Sequence, residues 1–363
     1  MTGAFITPSP RYHTSGFIDS IERILDARAI DLVVPTFEEA FYLARHRQRL
    51  ETHCHLFMPE LETLELLHDK SRFMSWAAEL GLDVPCTRTV TDFAELHAAL
   101  REFSEYFARP VFSRGGLRLL TNAGPLAGVL ELDECCPTAV CPWIVQEYVH
   151  GVDVCSFSVV QHGRVVAHSA YVHPAVEGDG GAITFESISD PETLEVAQIV
   201  AAASNYHGQL SLDFIRSSDG LFVIECNPRA CAGVMVMPDS MFVEALFAHR
   251  PAAPAIAPAR LRRTIDLSVL RDVLGQGVHG PKDVVALVAR ALEVYADPEE
   301  MFTALFALLS YGHVCTLRGA VALRPQNRED LARAYFYDVC WDGAVFEQVG
   351  ATSSTGQGVS RSP

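Results

Sequence analysis

The stretch LSLDFIRSSDGLFVIECNPRA, residues 210–230, reads as two apolar strands around a polar turn, and its second strand ends on an acid, an amide and an arginine. Side chains alternate between the faces of a strand, so Leu221, Val223, Glu225 and Asn227 are predicted to share one face and Phe222, Ile224 and Cys226 the other. A three-residue loop at 218–220 sets Asp213 opposite Glu225, whereas a four-residue loop shifts the register and separates them. In the first case two carboxylates and the Asn227 amide oxygen converge, with no basic side chain among them. Like charges opposed across a ladder destabilise it, and a carboxylate on a buried strand is costly unless something compensates it. A hard cation is the natural compensator, because carboxylate and amide oxygens are the ligands Mg²⁺ accepts. Arg229, after the turn-forming Pro228, adds a fork suited to a carboxylate or phosphate. The plain alternative is an edge hairpin that turns both acids to solvent.

Working outward from the hairpin, Lys70 stands just before a predicted helix over 71–80, where its ammonium can reach a phosphate. ARPVFSRGG (108–116) puts Arg109 in the centre of a strand and follows it with Ser113, Arg114, Gly115 and Gly116. Two glycines after a strand let backbone N–H groups turn toward phosphate oxygens, although such a pair by itself is usually just a turn. WIVQEYVHGVDV (143–154) carries Gln146, Glu147, Val149 and Asp153 around a bend at Gly151.

The 363 residues, 49% hydrophobic and 20% charged, suffice for two or three compact units with their own cores. No apolar run approaches the roughly 20 residues of a membrane span, and residues 1–10 do not resemble a secretory signal, so a cytoplasmic protein without membrane partners is expected. A formal charge of −17 argues against nucleic acid as a partner, since phosphates must be neutralised by Lys and Arg. The ten cysteines are scattered; Cys135, Cys136 and Cys141 lack paired zinc-site spacing, and His53, Cys54 and His55 have no further ligand nearby. Free thiols in a reducing compartment are the expectation.

Periodicity predicts a helix over 17–29, a short strand at 30–34, helices over 37–47 and 61–68, and a strand near 53–57. Helices follow at 71–80, at 92–103 with Asp92 as N-cap, and at 192–206, with strands dominating between 106 and 227. Residues 255–260 read as a Pro/Ala connector and 260–266 as a basic strand end. Beyond them, helices are expected near 284–294 and 298–309 and strands near 314–324, ahead of a disordered tail at 351–363.

The ordered set resembles the ATP-grasp superfamily over roughly residues 30–240: Asp69-Lys70 before a helix, GLDVPCT (81–87), a basic strand with a Gly-rich loop, VQEYVHGVD (145–153), and DFI with VIECNPR (213–229). ARPVFSRGG is most similar to the carbamoyl phosphate synthetase branch, in which arginine replaces a lysine. The resemblance implies an α+β ATP-grasp fold, two antiparallel-sheet subdomains gripping ATP, with a small α/β N-terminal domain (1–68), the grasp domain (69–245, divided at 150/151) and a C-terminal α+β unit (246–350). It implies that Lys70 and Arg109 hold phosphates under a flap at 113–116. Gln146, with the backbone of Glu147 and Val149, would meet adenine, and Asp153 the ribose. Asp213, Glu225 and Asn227 would hold Mg²⁺, and Arg229 would orient an acceptor carboxylate or stabilise an oxyanion. Residues 173–186 are a candidate second cover.

The activity so implied is ADP-forming ligation: a small carboxylic or amino acid is activated as an acyl phosphate and attacked by an amine. Two alternatives stay open: phosphorylation of bicarbonate or carbamate, as in carbamoyl phosphate synthetase, and a nucleotide-binding regulatory subunit without turnover. The C-terminal unit is left with two uses, shaping the acceptor pocket or a homodimer interface.

Overall fold

The computed structural model describes residue 3 and residues 5–114, 118–174, 182–248, 251–266 and 338–343. Gly115, Gly116, residues 175–181 of the second cover, the elements expected at 284–324 and the tail at 351–363 lie outside the described residues.

Helix α1 (Thr14–Arg28) carries Phe17, Ile18 and Leu25 into an N-terminal core. It stops at Ala29, whose left-handed backbone (φ 47°) returns an N–H to the Leu25 carbonyl. Strand β1 (Leu32–Val33), helices α2 (Glu39–Arg45) and α3 (Arg47–Leu50), and strand β2 (His55–Leu56) follow. The two strands pair in parallel, which requires a crossover, and the two helices supply it. Helix α4 (Leu61–His68) is separated from α5 (Lys70–Glu79) by Asp69, which caps α5 by accepting the Arg72 N–H at 3.0 Å. That cap makes Lys70 the first residue of α5.

The first large sheet contains β3 (Thr87–Val90), β4 (Tyr106–Pro110), β5 (Leu120–Thr121) and β6 (Trp143–Glu147), all antiparallel in the order β3-β6-β4-β5, with α6 (Phe93–Ala99) against it. Asp92 caps α6 by accepting the Glu95 N–H at 2.8 Å, and the expected longer helix tightens into a 3₁₀ turn at Leu100–Glu102.

The second sheet has seven strands. They are β7 (Val152–Gln161), β8 (Arg164–Val172), β9 (Ala182–Ile188), β10 (Gly208–Arg216), β11 (Leu221–Asn227), β12 (Ala255–Ile256) and β13 (Arg262–Asp266). Their order is β11-β10-β7-β8-β9-β13, with β12 parallel beside β8. The stretch read as a connector and strand end thus extends this sheet. Helix α7 (Pro191–Ala203) is capped by Asp190 and opens on Pro191, where no N–H is missed. Helix α8 (Asp239–Leu246) packs over β7 and β8 near Phe157 and Val159.

The two faces of the second sheet have different work. Phe73, Met74 and Ala77 of α5 and Ala197, Val200 and Ala201 of α7 cover one face, burying Leu210, Leu212, Phe214 and Val223. At about 1.5–3 kcal/mol for each fully buried large apolar side chain, this layer is a main source of stability. Part of the other face looks across a cleft at the first sheet, so groups on it remain accessible.

Candidate active site

Strands β10 and β11 are joined by four residues, 217–220, not the three that the pairing was expected to require. A β-bulge absorbs the difference: Arg216 faces Leu221 and Phe214 faces Val223, yet Asp213 faces Glu225, so Ile224 is the extra residue. The bulge also corrects the expected alternation. Leu221, Val223 and Cys226 join the core, while Glu225 and Asn227 turn to the cleft side.

The acids are not without cations, as the hairpin alone suggested. Lys70 Nζ lies 3.1 Å from Glu225 Oε1, and Arg109 Nη1 lies 2.7 Å from Oε2. Arg109 Nη2 also donates to the Ile224 carbonyl at 3.0 Å, so the bulge residue anchors the guanidinium. Lys70, 1% exposed, donates to the Ser113 carbonyl at 2.7 Å and thereby ties α5 to the segment after β4.

These contacts make the paired acids electrically unequal. Burial pushes the Glu225 carboxyl up, but the charges and hydrogen bonds of Lys70 and Arg109 more than offset it and hold it below the usual range. Burial and the facing Glu225 push Asp213 up. Burial takes Lys70 down to about 8 despite Glu225. Asp213 accepts from Asn227 Nδ2 at 3.1 Å and forms no salt bridge among the described residues. Asp213 and Glu225 offer carboxylate oxygens bearing two negative charges, the composition suited to a hard divalent cation, while Asn227 turns its Nδ2 to Asp213 and its oxygen to Arg229, so its oxygen joins the set only once the amide turns. Among the described residues no third His, Cys, Asp or Glu joins them, so such an ion would keep water or substrate oxygens.

Beside this cluster a cleft of about 470 Å³ opens between the two sheets. Phe107 and Arg109 line it from the first sheet, Asp213 and Ile224 from the second. Gln146 and Glu147 at the end of β6, and Val149 in the connection to β7, line it as well. Gln146 Nε2 donates to Thr87 Oγ1 at 3.0 Å, which leaves its amide oxygen as an acceptor. The Glu147 carboxylate is turned back to the Cys86 N–H at 2.8 Å, so only its backbone is at the disposal of a ligand. Asp153 lies at the exposed rim. Gly151 lets this connection pass close to β10, since a Cβ there would run into the Arg216 carbonyl.

Arg229 completes the hairpin end: Nη2 donates to Asn227 Oδ1 at 3.0 Å, and the guanidinium lies 4.5 Å from the centre of the Phe37 ring. Arg114 is not gathered with Lys70 and Arg109. It turns to Glu38, donating through Nε at 2.9 Å and Nη2 at 2.6 Å. Glu38 was missed in the sequence because an acid at the start of a predicted helix reads as a favourable end charge.

No protein-family model matches the chain. It is 19% identical over 244 residues to the carbamoyl phosphate synthase large chain of Clostridium acetobutylicum, a match covering 64% of this chain. The chain spans only 23% of that relative's length. The solved ADP complex of an N5-carboxyaminoimidazole ribonucleotide synthetase superposes with a TM-score of 0.52 at 16% identity, covering 71% of each chain. The chain has the ATP-grasp fold. The biotin carboxylase domain of Hydrogenobacter thermophilus 2-oxoglutarate carboxylase is a further similar structure, with a TM-score of 0.49, 15% identity, and coverage of 69% of this chain and 61% of that one. Among the described residues no helix is long and apolar enough to cross a membrane.

Proposed function

We propose that the chain is an ATP-dependent, ADP-forming carboxylate ligase that activates a small carboxylic or amino acid as an acyl phosphate for attack by an amine. The observation that carries this reading is the facing pair Asp213 and Glu225, with Lys70 and Arg109 beside it, at the side of a cleft between two sheets. Cations and a hard-metal donor set meet there without an activated nucleophile: the Cys155 thiol in the cleft is pushed far up by burial and by Asp213, and the Cys231 thiol to about 11 by burial. Phosphoryl transfer requires this kind of site, because positioning and charge neutralisation do most of the work.

In this reading the apolar slot lined by Phe107 and Ile224 takes the purine, the Gln146 oxygen accepts from its amino group, and Asp153 meets the ribose. Lys70 and Arg109 exchange Glu225 for phosphate oxygens. Asp213, Glu225 and Asn227 would hold Mg²⁺, which would supply charge neutralisation at those oxygens. Arg229 orients the acceptor acid. A carboxylate oxygen bonds to the γ-phosphorus as the bond to ADP breaks; the amine then displaces phosphate from the acyl carbon, losing a proton. We also assign the chain to the cytoplasm, in keeping with nine unpaired cysteines among the described residues.

The test is mass spectrometry of reactions with ATP, Mg²⁺, hydroxylamine and pooled carboxylic acids, amino acids and bicarbonate. ADP together with a new hydroxamate supports the reading and names the acid. AMP in place of ADP refutes the acyl-phosphate route, and ATP binding without either product points to a regulatory subunit.

A further inference from the structure

The cationic groups at the far side of the hairpin converge on an acid that neither the metal set nor the nucleotide slot uses. Glu38, fully buried just before α2, accepts from Arg114 Nε at Oε1 (2.9 Å) and from Arg114 Nη2 at Oε2 (2.6 Å). The Trp341 backbone N–H donates to the same Oε2 at 2.7 Å, Arg229 Nε stands 3.8 Å from Oε1, and His68 Nε2 stands 4.0 Å from Oε2. Burial raises the Glu38 carboxyl, and the charges of protonated His68, Arg114 and Arg229 bring it below its ordinary value. His68 is itself neutral at pH 7, since burial takes it down to about 4, so the two guanidinium groups are the charges that matter.

Those two groups serve different parts of the site. Arg114 follows Ser113, whose carbonyl receives Lys70, and Arg229 bonds the Asn227 amide at the end of β11. A carboxylate held by a two-point fork and by a backbone N–H is fixed in orientation, and it fixes in turn the groups that grip it. The Trp341 carbonyl accepts from Arg114 Nη2 at 2.9 Å, so Trp341 holds the same guanidinium that grips Glu38.

We propose that Glu38 is a positioning residue of this site: through Arg114 it fixes the chain at Ser113, whose carbonyl holds Lys70, and through Arg229 it fixes the Asn227 amide. This inference rests on the nucleotide reading above. A residue serving only to bury an ion pair would weaken every ligand in step with the fold; loss of a residue that positions Lys70 and Asn227 weakens ligands that carry the terminal phosphates and metal and spares those that do not.

The experiment is calorimetric titration of the full chain with the Mg²⁺ complex of a non-hydrolysable imido analogue of ATP and, separately, with AMP. For Glu38→Gln the expected result is at least tenfold weaker binding of the triphosphate analogue, with AMP affinity within about twofold of wild type. Glu38→Asp, which keeps the charge, restores part of the loss. If Glu38→Gln does not fold, Glu38→Asp decides: a wild-type ratio of the two affinities overturns the inference, and selective weakening of the triphosphate supports it. A wild-type chain that binds neither ligand overturns the nucleotide reading itself, whereas a wild type that binds both, beside a Glu38→Gln variant with an unchanged ratio, overturns the role of Glu38 alone.

Discussion

Asp213 and Glu225 stand opposite each other across β10 and β11, and only Glu225 carries cations, Lys70 at 3.1 Å and Arg109 at 2.7 Å. The pair therefore behaves as one neutralised acid beside one that is not. Glu225→Gln removes a proposed metal ligand and at the same time releases two cations. Mg²⁺-dependent ADP formation is expected to fall at least 100-fold, while affinity for metal-free ADP holds or rises. Calorimetry with and without Mg²⁺ reads the split, and turnover near wild type would show that these acids do not hold the metal. Leaving Arg109 without its carboxylate costs about 3–5 kcal/mol, moderated because it keeps the Ile224 carbonyl and because Lys70, already down to about 8, sheds its proton readily.

Arg109 links the first sheet to the bulge through the Glu225 carboxylate and the Ile224 carbonyl. Arg109→Ala is expected to weaken ADP binding about 10- to 100-fold, the worth of a charge-assisted contact of roughly 1.5–3 kcal/mol. Arg109→Lys retains the charge and should lose less. ADP affinity in Arg109→Ala equal to wild type would place the phosphates elsewhere in the cleft.

The parts of this architecture that were legible in the sequence are the local ones. Asp92 caps its helix where an acid before an apolar run said it would, and the opening hairpin forms where its turn residues said it would. The Asp213–Glu225 pairing was reached through an incorrect loop length, because strand alternation carries no sign of an extra residue at Ile224. Contacts between distant segments left no local trace. Arg109 and Glu225 are 116 residues apart, and Trp341 and Glu38 are 303 apart, so neither pattern nor spacing could join them. The cations on Glu225 were instead assigned wholly to a ligand, since without the fold nothing indicated that the protein's own acid would engage them.

His168 sets a pH dependence independent of the cleft. Thr193 Oγ1 gives its proton to the Asp190 carbonyl at 2.7 Å, so it accepts from His168 Nε2 at 3.1 Å, and His168 Nδ1 accepts from Ser158 Oγ at 2.9 Å. This arrangement requires the neutral ring, and burial lowers its pKa from 6.5 to about 4. In the unfolded chain the ring takes up a proton near pH 6.5; in the folded chain it does so only near pH 4. Stability is thus expected to fall as pH drops through that window, by on the order of 3 kcal/mol from this group. Urea unfolding at pH 7 and pH 4.5 measures the fall, and His168→Gln should flatten part of it; an unchanged slope in that variant would rule His168 out as a source.

Trp341 is 1% exposed, stacked on Phe41 with ring centres 5.2 Å apart and set edge-on to Tyr42 at 5.3 Å. It brings a segment from late in the chain into the N-terminal core, where the Cys340 carbonyl also accepts from Tyr42 Oη at 2.8 Å and Arg11 Nη1 at 2.9 Å. Trp341→Ala leaves the backbone contacts to Glu38 available but empties the largest side chain of that core, so a loss of about 3–5 kcal/mol is expected. Guanidinium unfolding of the full chain gives the magnitude. Because Phe41 stacks on Trp341, Phe41→Ala combined with Trp341→Ala should cost less than the sum of the two single losses. Full additivity would mean that the two rings stabilise separate units rather than one shared core.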